Sequence, residues 1–313
     1  MTKPAFDPEL RTLLAGMPLS SELTPELLHR IRRMPSPPFE TDAERHDVAL
    51  GEIALTVFRP ENLGEIALTV FRPENLDGPA PCVYWIHGGG MVMGDRFSQI
   101  DIPLEWLREL GVVVVTVEHR LAPEATGTTL VDDCYRGLVW TAENAGSLGI
   151  SRVVVAGISA GGGLAAGITL MARDLGGPEI AAQVLICPML DHRNATTSSA
   201  QYSGEPGVWT REMNEFGWRS VLGDLTDVPG HVSPALARDL SGLPPTYVDT
   251  GTAEVFRDED VDYATRIWAA GGDAELHTWA GGFHGFDALH PQARLSAAAR
   301  RTRTEWLARK LGG

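Results

Sequence analysis

Basic side chains are scarce. Only 26 Lys and Arg stand against 41 Asp and Glu, giving a formal net charge of −15 over 313 residues. A field of that sign disfavours nucleic acid and anionic membrane surfaces as partners. Long apolar runs are missing as well: the longest, Val112 to Val117 with one threonine inside it, is strand-sized, whereas a membrane helix needs roughly 20 residues. Cysteine is rare. Cys82, Cys134 and Cys187 are odd in number and widely spaced, which argues against a disulfide framework and for a reduced, cytoplasmic setting. The start, Met1-Thr2-Lys3-Pro4, reaches acidic residues quickly and lacks the apolar core of a signal peptide.

Glycine, by contrast, is plentiful at 34 residues, and two glycine-rich stretches carry chemistry. Gly157-Ile158-Ser159-Ala160-Gly161 follows the β-branched run Val153 to Ala156 and precedes an Ala/Leu-rich helical stretch from Gly162 to Asp174. That places Ser159 at a strand-to-helix turn, where flanking glycines remove side chains that would collide and the Ala160 amide points toward a developing oxyanion. His87-Gly88-Gly89-Gly90 follows another strand-like run, Pro81 to Ile86. A loop without Cβ atoms can press its amides against a substrate, so Gly88 and Gly89 are expected to complete an oxyanion hole with Ala160. Each motif alone fits an ordinary glycine loop. Together, in this order and each at a strand end, they point to acyl transfer.

A serine nucleophile needs a base and an orienting carboxylate, which in this architecture follow it in the order acid, then histidine. His277 alternates within Ala274 to Trp279 and reads as a strand-face residue. His284, in the glycine-flanked loop from Gly281 to Gly285, is the expected base. Four carboxylates, Glu254, Asp258, Glu259 and Asp260, follow the strand-like Pro245 to Asp249. Most charged residues are solvated. Glu254 is favoured because it lies early in the loop, and Asp258 is the alternative.

These residues, with His119-Arg120-Leu121-Ala122-Pro123-Glu124, Cys187-Pro188-Met189-Leu190-Asp191 and Glu254-Val255-Phe256-Arg257-Asp258-Glu259, resemble the hormone-sensitive-lipase-like branch of serine carboxylesterases, bacterial family IV. The resemblance spans almost the whole chain. It implies an α/β-hydrolase fold, a mostly parallel sheet flanked by helices with a helical cap, and a triad of Ser159, Glu254 and His284. It implies no metal and no cofactor, a small ester as substrate, and a homodimer through the last strand and the C-terminal helix, Arg294 to Leu311. Four positions depart from the family pattern: Glu254 for Asp, Ile158 for Asp, Gly163 for Asn and His119 for Tyr.

The expected reaction is hydrolysis of short- to medium-chain acyl esters through an acyl-enzyme. Deacetylase or formamidase activity is the alternative within the family, and a non-catalytic small-ligand receptor the alternative outside it. The chain divides into N-terminal cap helices at 1–45, core at 46–193, a cap insertion at 194–227 and core at 228–313. Leu10, Leu13 and Leu14 form one apolar patch of the N-terminal cap, and Leu23, Leu27, Leu28 and Ile31 another. Trp209, Met213, Phe216, Trp218 and Val221 form the apolar stripe of the insertion. Met91, Val92 and Trp209 are the expected substrate-pocket residues.

One feature lies outside the family pattern. Residues Gly51 to Leu63 recur without change as Gly64 to Leu76, thirteen identities in thirteen. Each copy alternates Ile-Leu-Val against Ala-Thr-Phe, so both are equally good strands for one place in the sheet. Either they compete, one pairing while the other loops out, or the surplus strand adds to a sheet edge.

Overall fold

The computed structural model describes residues 2–34, 48–49, 53–73 and 76–312. The end of the expected N-terminal cap, 35–45, and parts of the repeat, 51–52 and 74–75, fall outside them. Among the described residues nine strands form one sheet: β1 (Val48–Ala49), β2 (Ile53–Phe58), β3 (Ala67–Pro73), β4 (Ala80–Ile86), β5 (Val113–Glu118), β6 (Ile150–Ile158), β7 (Ala182–Ile186), β8 (Thr246–Gly251) and β9 (Ala274–Trp279). Their order is β1-β2-β3-β5-β4-β6-β7-β8-β9, antiparallel from β1 through β5 and parallel from there to β9.

Helices fill the connections. They are α1 (Pro8–Leu14), α2 (Pro25–Ile31), α3 (Asp101–Leu110), α4 (Thr129–Glu143), α5 (Ala145–Leu148), α6 (Ala160–Leu175), α7 (Thr197–Gln201), α8 (Arg211–Leu222), α9 (Arg257–Ala269), α10 (Phe286–Leu289) and α11 (Arg294–Leu311). Because the central strands are covered on both faces, they read as continuous apolar runs whose alternate residues enter different cores. Cys82, Tyr84, Val113, Val115, Val153 and Val155 pack with α4, α6 and α9. Val83, Trp85, Val114, Val154 and Ala156 pack with α3 and α11 on the other side.

Both copies of the repeat enter the sheet. They lie side by side and antiparallel as β2 and β3, with Leu55 opposite Phe71 and Phe58 opposite Leu68. Corresponding residues therefore face opposite cores: Leu68 joins the α4/α6 side, while its counterpart Leu55 joins the α3/α11 side. The sequence permits this because both alternating sets are largely apolar. The second copy takes the inner place beside β5.

At the N-terminus the pattern holds with one exception. Leu10 and Leu14 are buried against Phe283 and Phe286, but Leu13 is 39 % exposed. Asp7 caps α1 by accepting from the amides of Glu9 and Leu10, and Thr24 caps α2 by accepting from Leu27. Met213, Trp218 and Val221 of α8 are buried in the main core.

Candidate active site

Ser159 stands between β6 and α6 with φ 56° and ψ −123°, a left-handed conformation that a non-glycine residue adopts only under constraint. The constraint is visible in its hydrogen bonds. Its amide donates to Ile186 at 2.8 Å, and its carbonyl accepts from Met189 at 2.9 Å and Gly163 at 3.0 Å. The flanking glycines are sterically required, since a Cβ on Gly157 would lie 2.2 Å from the carbonyl oxygen of Gly161, and one on Gly161 would lie 2.1 Å from that of Ile86.

His284 lies in the loop between β9 and α10, and Glu254 in the loop between β8 and α9. Backbone bonds tie these two loops together: Ala253 donates to the carbonyl of Gly282 at 3.0 Å and Thr252 to that of Trp279 at 2.9 Å. The approach is close enough that a Cβ on Gly251 would meet the Gly282 carbonyl at 2.0 Å.

The imidazole of His284 bridges the other two residues. Its Nε2 is 2.9 Å from Ser159 Oγ, and its Nδ1 is 2.9 Å from Glu254 Oε2. A carboxylate can only accept, so Nδ1 carries the proton and Nε2 is free to accept from the serine hydroxyl. Glu254 Oε2 also accepts from the Phe256 amide at 3.2 Å, and its Oε1 accepts from Thr250 Oγ1. Phe256 meets the imidazole edge-on at 5.1 Å. Exposures of 7 % for Ser159, 1 % for Glu254 and 8 % for His284 keep the chain of hydrogen bonds nearly dry, which strengthens each link. Asp258, the alternative acid, is turned elsewhere: it accepts from the Ser198 amide at 2.7 Å and pairs with Arg257. His277 is a strand residue stacked between Tyr247 and Trp279.

Two observations bear on the expected surrounding residues. The Gly88 amide donates to Gln99 Oε1 at 3.0 Å, so its single proton is already used. Gly90 has no such engagement and carries φ +61°. Met91 and Val92 are 2 % and 0 % exposed, belong to the main core, and do not line the cavity beside His284. That cavity, about 90 Å³, is bounded by Phe6, Leu14, Tyr202, Trp209, Phe283 and His284. Trp209 also overlies Gly90, where a Cβ would meet its ring at 2.2 Å. A surface cleft of about 740 Å³ beside Arg173, His231 and Arg238 contains none of the three bridged residues.

At the root of the glycine loop, His87 and His119 stack at 4.5 Å with ring planes 7° apart. Nδ1 of each contacts the carbonyl oxygen of the next residue, Gly88 or Arg120. Burial drives the affinity of both rings for a proton down, that of His119 to about 4, so both are neutral at pH 7. Among the described residues no group of three or more His, Cys, Asp or Glu is arranged to hold a metal ion. No described helix is long and apolar enough to cross a membrane.

A strand, a strained elbow and a helix on a mostly parallel sheet define the class: this is an α/β hydrolase. Residues 83–288 match the family model described as alpha/beta hydrolase fold. The chain is 30 % identical over 304 residues to Esterase LipI of Mycobacterium tuberculosis, covering 93 % of this chain and 92 % of that one. It is also 30 % identical to Carboxylesterase NlhH of the same species, over 91 % and 90 % of the two chains. Among solved structures, Bacterial Heroin Esterase superposes with a TM-score of 0.86 at 34 % identity, covering 99 % of each chain. Esterase LipW from Mycobacterium marinum gives 0.84 at 30 % identity, over 99 % of this chain and 98 % of that one. The chain belongs to the hormone-sensitive-lipase-like, bacterial family IV branch of the serine carboxylic ester hydrolases.

Proposed function

We propose that the protein hydrolyses short- to medium-chain acyl esters of small alcohols through Ser159, His284 and Glu254. The hydrogen-bonded chain from Ser159 Oγ through His284 to Glu254, with two links of 2.9 Å, carries this reading. In the first step Ser159 Oγ attacks the ester carbonyl while His284 Nε2 takes the hydroxyl proton. Glu254 stabilises the resulting imidazolium. The oxyanion is received by the amides of Gly89, Gly90 and Ala160, with Gly88 kept by Gln99 as a support for the loop. His284 then returns the proton to the departing alkoxide, leaving an acyl-serine and a free alcohol. Water, deprotonated by the same nitrogen, adds to the acyl-serine carbonyl; the C–Oγ bond then breaks, His284 returns the proton to Ser159 Oγ, and the carboxylic acid leaves.

The small apolar cavity beside His284 favours short acyl or alcohol groups. Residues 2–34 and the 194–227 segment act as its cap: Gly207 bridges to Ser20, Thr210 Oγ1 donates to the Ser21 carbonyl at 2.7 Å, and Phe6 meets Phe283 edge-on at 6.0 Å. β9, which among the described residues pairs with β8 and lies at the sheet's edge, is consistent with a homodimer through β9 and α11. Sedimentation velocity reads the oligomeric state directly.

The decisive experiment is a panel of p-nitrophenyl esters of increasing acyl length. Acetate to hexanoate is expected to be turned over best, with kcat/KM falling for longer chains. Ser159→Ala, folded by circular dichroism, is expected to lose roughly four orders of magnitude or more in kcat. Comparable turnover by Ser159→Ala would overthrow the nucleophile assignment, and a maximum at long acyl chains would overthrow the pocket argument.

A further inference from the structure

Three buried side chains take no part in the proposed reaction and yet are bonded to one another. Arg303 of α11 donates from Nη2 to Asp249 Oδ2 at 2.8 Å and from Nη1 to Asp287 Oδ2 at 3.0 Å. All three residues are at most 2 % exposed. Trp279 Nε1 adds a further donor to Asp249 Oδ2 at 3.3 Å, and Arg300, one turn earlier on α11, donates from Nε to the Asp287 carbonyl at 3.2 Å. Arg300 is anchored in turn by Asp101 and Glu105 of α3. Such a buried group is a poor device for stability alone, because apolar side chains of similar volume avoid the cost of stripping charges of water and often do as well. What it supplies is geometry. A planar guanidinium engaged at both ends fixes the separation and direction of its two partners.

The places of those partners in the chain say what the separation governs. Asp249 precedes Thr250 on β8, and side chains alternate along a strand, so Asp249 reaches α11 while Thr250 faces the other way and donates to Glu254 Oε1. Asp287 lies in α10, three residues beyond His284. That short helix is tied to the histidine's loop by the Phe286 amide, which donates to the Phe283 carbonyl at 3.1 Å. Arg303 therefore spans the element that leads to the acid and the one that follows the base.

We propose that Arg303 is a positioning residue for the reaction: by clamping Asp249 to Asp287 it sets the distance and angle at which Glu254 meets His284 Nδ1. The 2.9 Å link between that nitrogen and Glu254 Oε2 joins side chains from two separate loops. The bonds from Thr252 to Trp279 and from Ala253 to Gly282 hold those loops together before the chain reaches either residue. The clamp adds the hold beyond His284.

The inference rests on the triad reading, so one arm of its test reads the link between Glu254 and His284 without catalysis. The low-field proton resonance of His284 Nδ1–H, identified by its loss in His284→Gln, is expected in wild type and in Ser159→Ala alike. Combining Arg303→Met, Asp249→Leu and Asp287→Leu exchanges the whole clamp for apolar side chains, and this triple variant is expected to melt close to wild type. Its resonance is expected to move upfield or broaden away. Its kcat for p-nitrophenyl butyrate is expected to fall roughly 10- to 100-fold with KM unchanged, as for a misplaced pair of catalytic groups. Arg303→Lys keeps a cation but lacks the fork, and is expected to lie between the two in both readings.

A clamp that serves stability alone gives the reverse pattern. Wild-type kcat and an unmoved resonance in the folded triple variant would overturn the proposal. If the triple variant fails to fold, Arg303→Lys decides by the same two readings, and full kcat with an unmoved resonance overturns the positioning role. Activity persisting in Ser159→Ala would sink the triad reading itself, while the resonance would still report whether Arg303 sets the link between Glu254 and His284.

Discussion

At the scale of the residue, the stacked pair of His87 and His119 sets how the protein responds to acid. Both rings are desolvated, and His87 further disfavours a proton on His119. In the unfolded chain a histidine takes up its proton as pH falls through about 6.5, whereas folded His119 does so only near 4. Between those values the unfolded state binds more protons, so stability falls as pH falls and levels off below about 4. For His119 alone the loss amounts to about 3 kcal/mol. Buried Asp249, Glu259 and Asp260 act in the opposite sense. Their raised proton affinities contribute stability below the ordinary carboxylate range that is lost as pH rises. His119→Phe preserves a stacking ring and removes the titration. Thermal melts from pH 7 to pH 4 are therefore expected to show a smaller fall in melting temperature for His119→Phe than for the wild type. Equal slopes would mean that His119 is already accessible to protons.

At the scale of the element, the repeat shows how far strand patterning reaches. Period two identifies each copy as a strand but cannot choose its face, because Ile-Leu-Val and Ala-Thr-Phe can each be buried. The structure uses both options at once, Leu55 on one side and Leu68 on the other. Either copy left alone can therefore pair with β5. Deleting residues 51–63 is expected to leave kcat/KM for p-nitrophenyl butyrate within about twofold while lowering the melting temperature, since one antiparallel strand pair and its apolar cover are removed. An inactive or unfolded product would show that the two copies are not interchangeable. The same distinction separates what was legible in the sequence from what was not. The elbow strand and the last strand at 274–279 follow from apolar period and glycine punctuation, which are local, whereas the final helix at 294–311 comes from the family resemblance. Which glycine amide is free is not local: it depends on the side chain of Gln99 reaching back to Gly88. Nor could patterning reveal Glu259 and Asp260, whose acidic run reads as surface and yet is 3 % and 0 % exposed, because the core that encloses them is assembled from distant segments.

At the scale of the whole molecule, the three thiols report on how tightly the core is closed. Cys82 lies on β4, Cys134 on α4 and Cys187 just beyond β7. All three are free and buried, at 0 %, 0 % and 4 % exposure. Burial pushes each thiol's pKa upward, so the reactive thiolate is suppressed at neutral pH. At Cys187 the carboxyls of Glu254, Asp287, Asp260 and Asp249 press in the same direction as burial. Because Cys82 and Cys134 lie in the core on one side of the sheet and Cys187 in the core on the other, their joint reactivity follows opening of the core rather than motion of one loop. Native protein at pH 7.5 is expected to react with none of its thiols in Ellman's reagent over an hour, and with all three at once when unfolded in guanidinium. Fast labelling of Cys187 alone would reveal local opening behind the triad, and a matching protection by a bound ester analogue would place that opening at the active site.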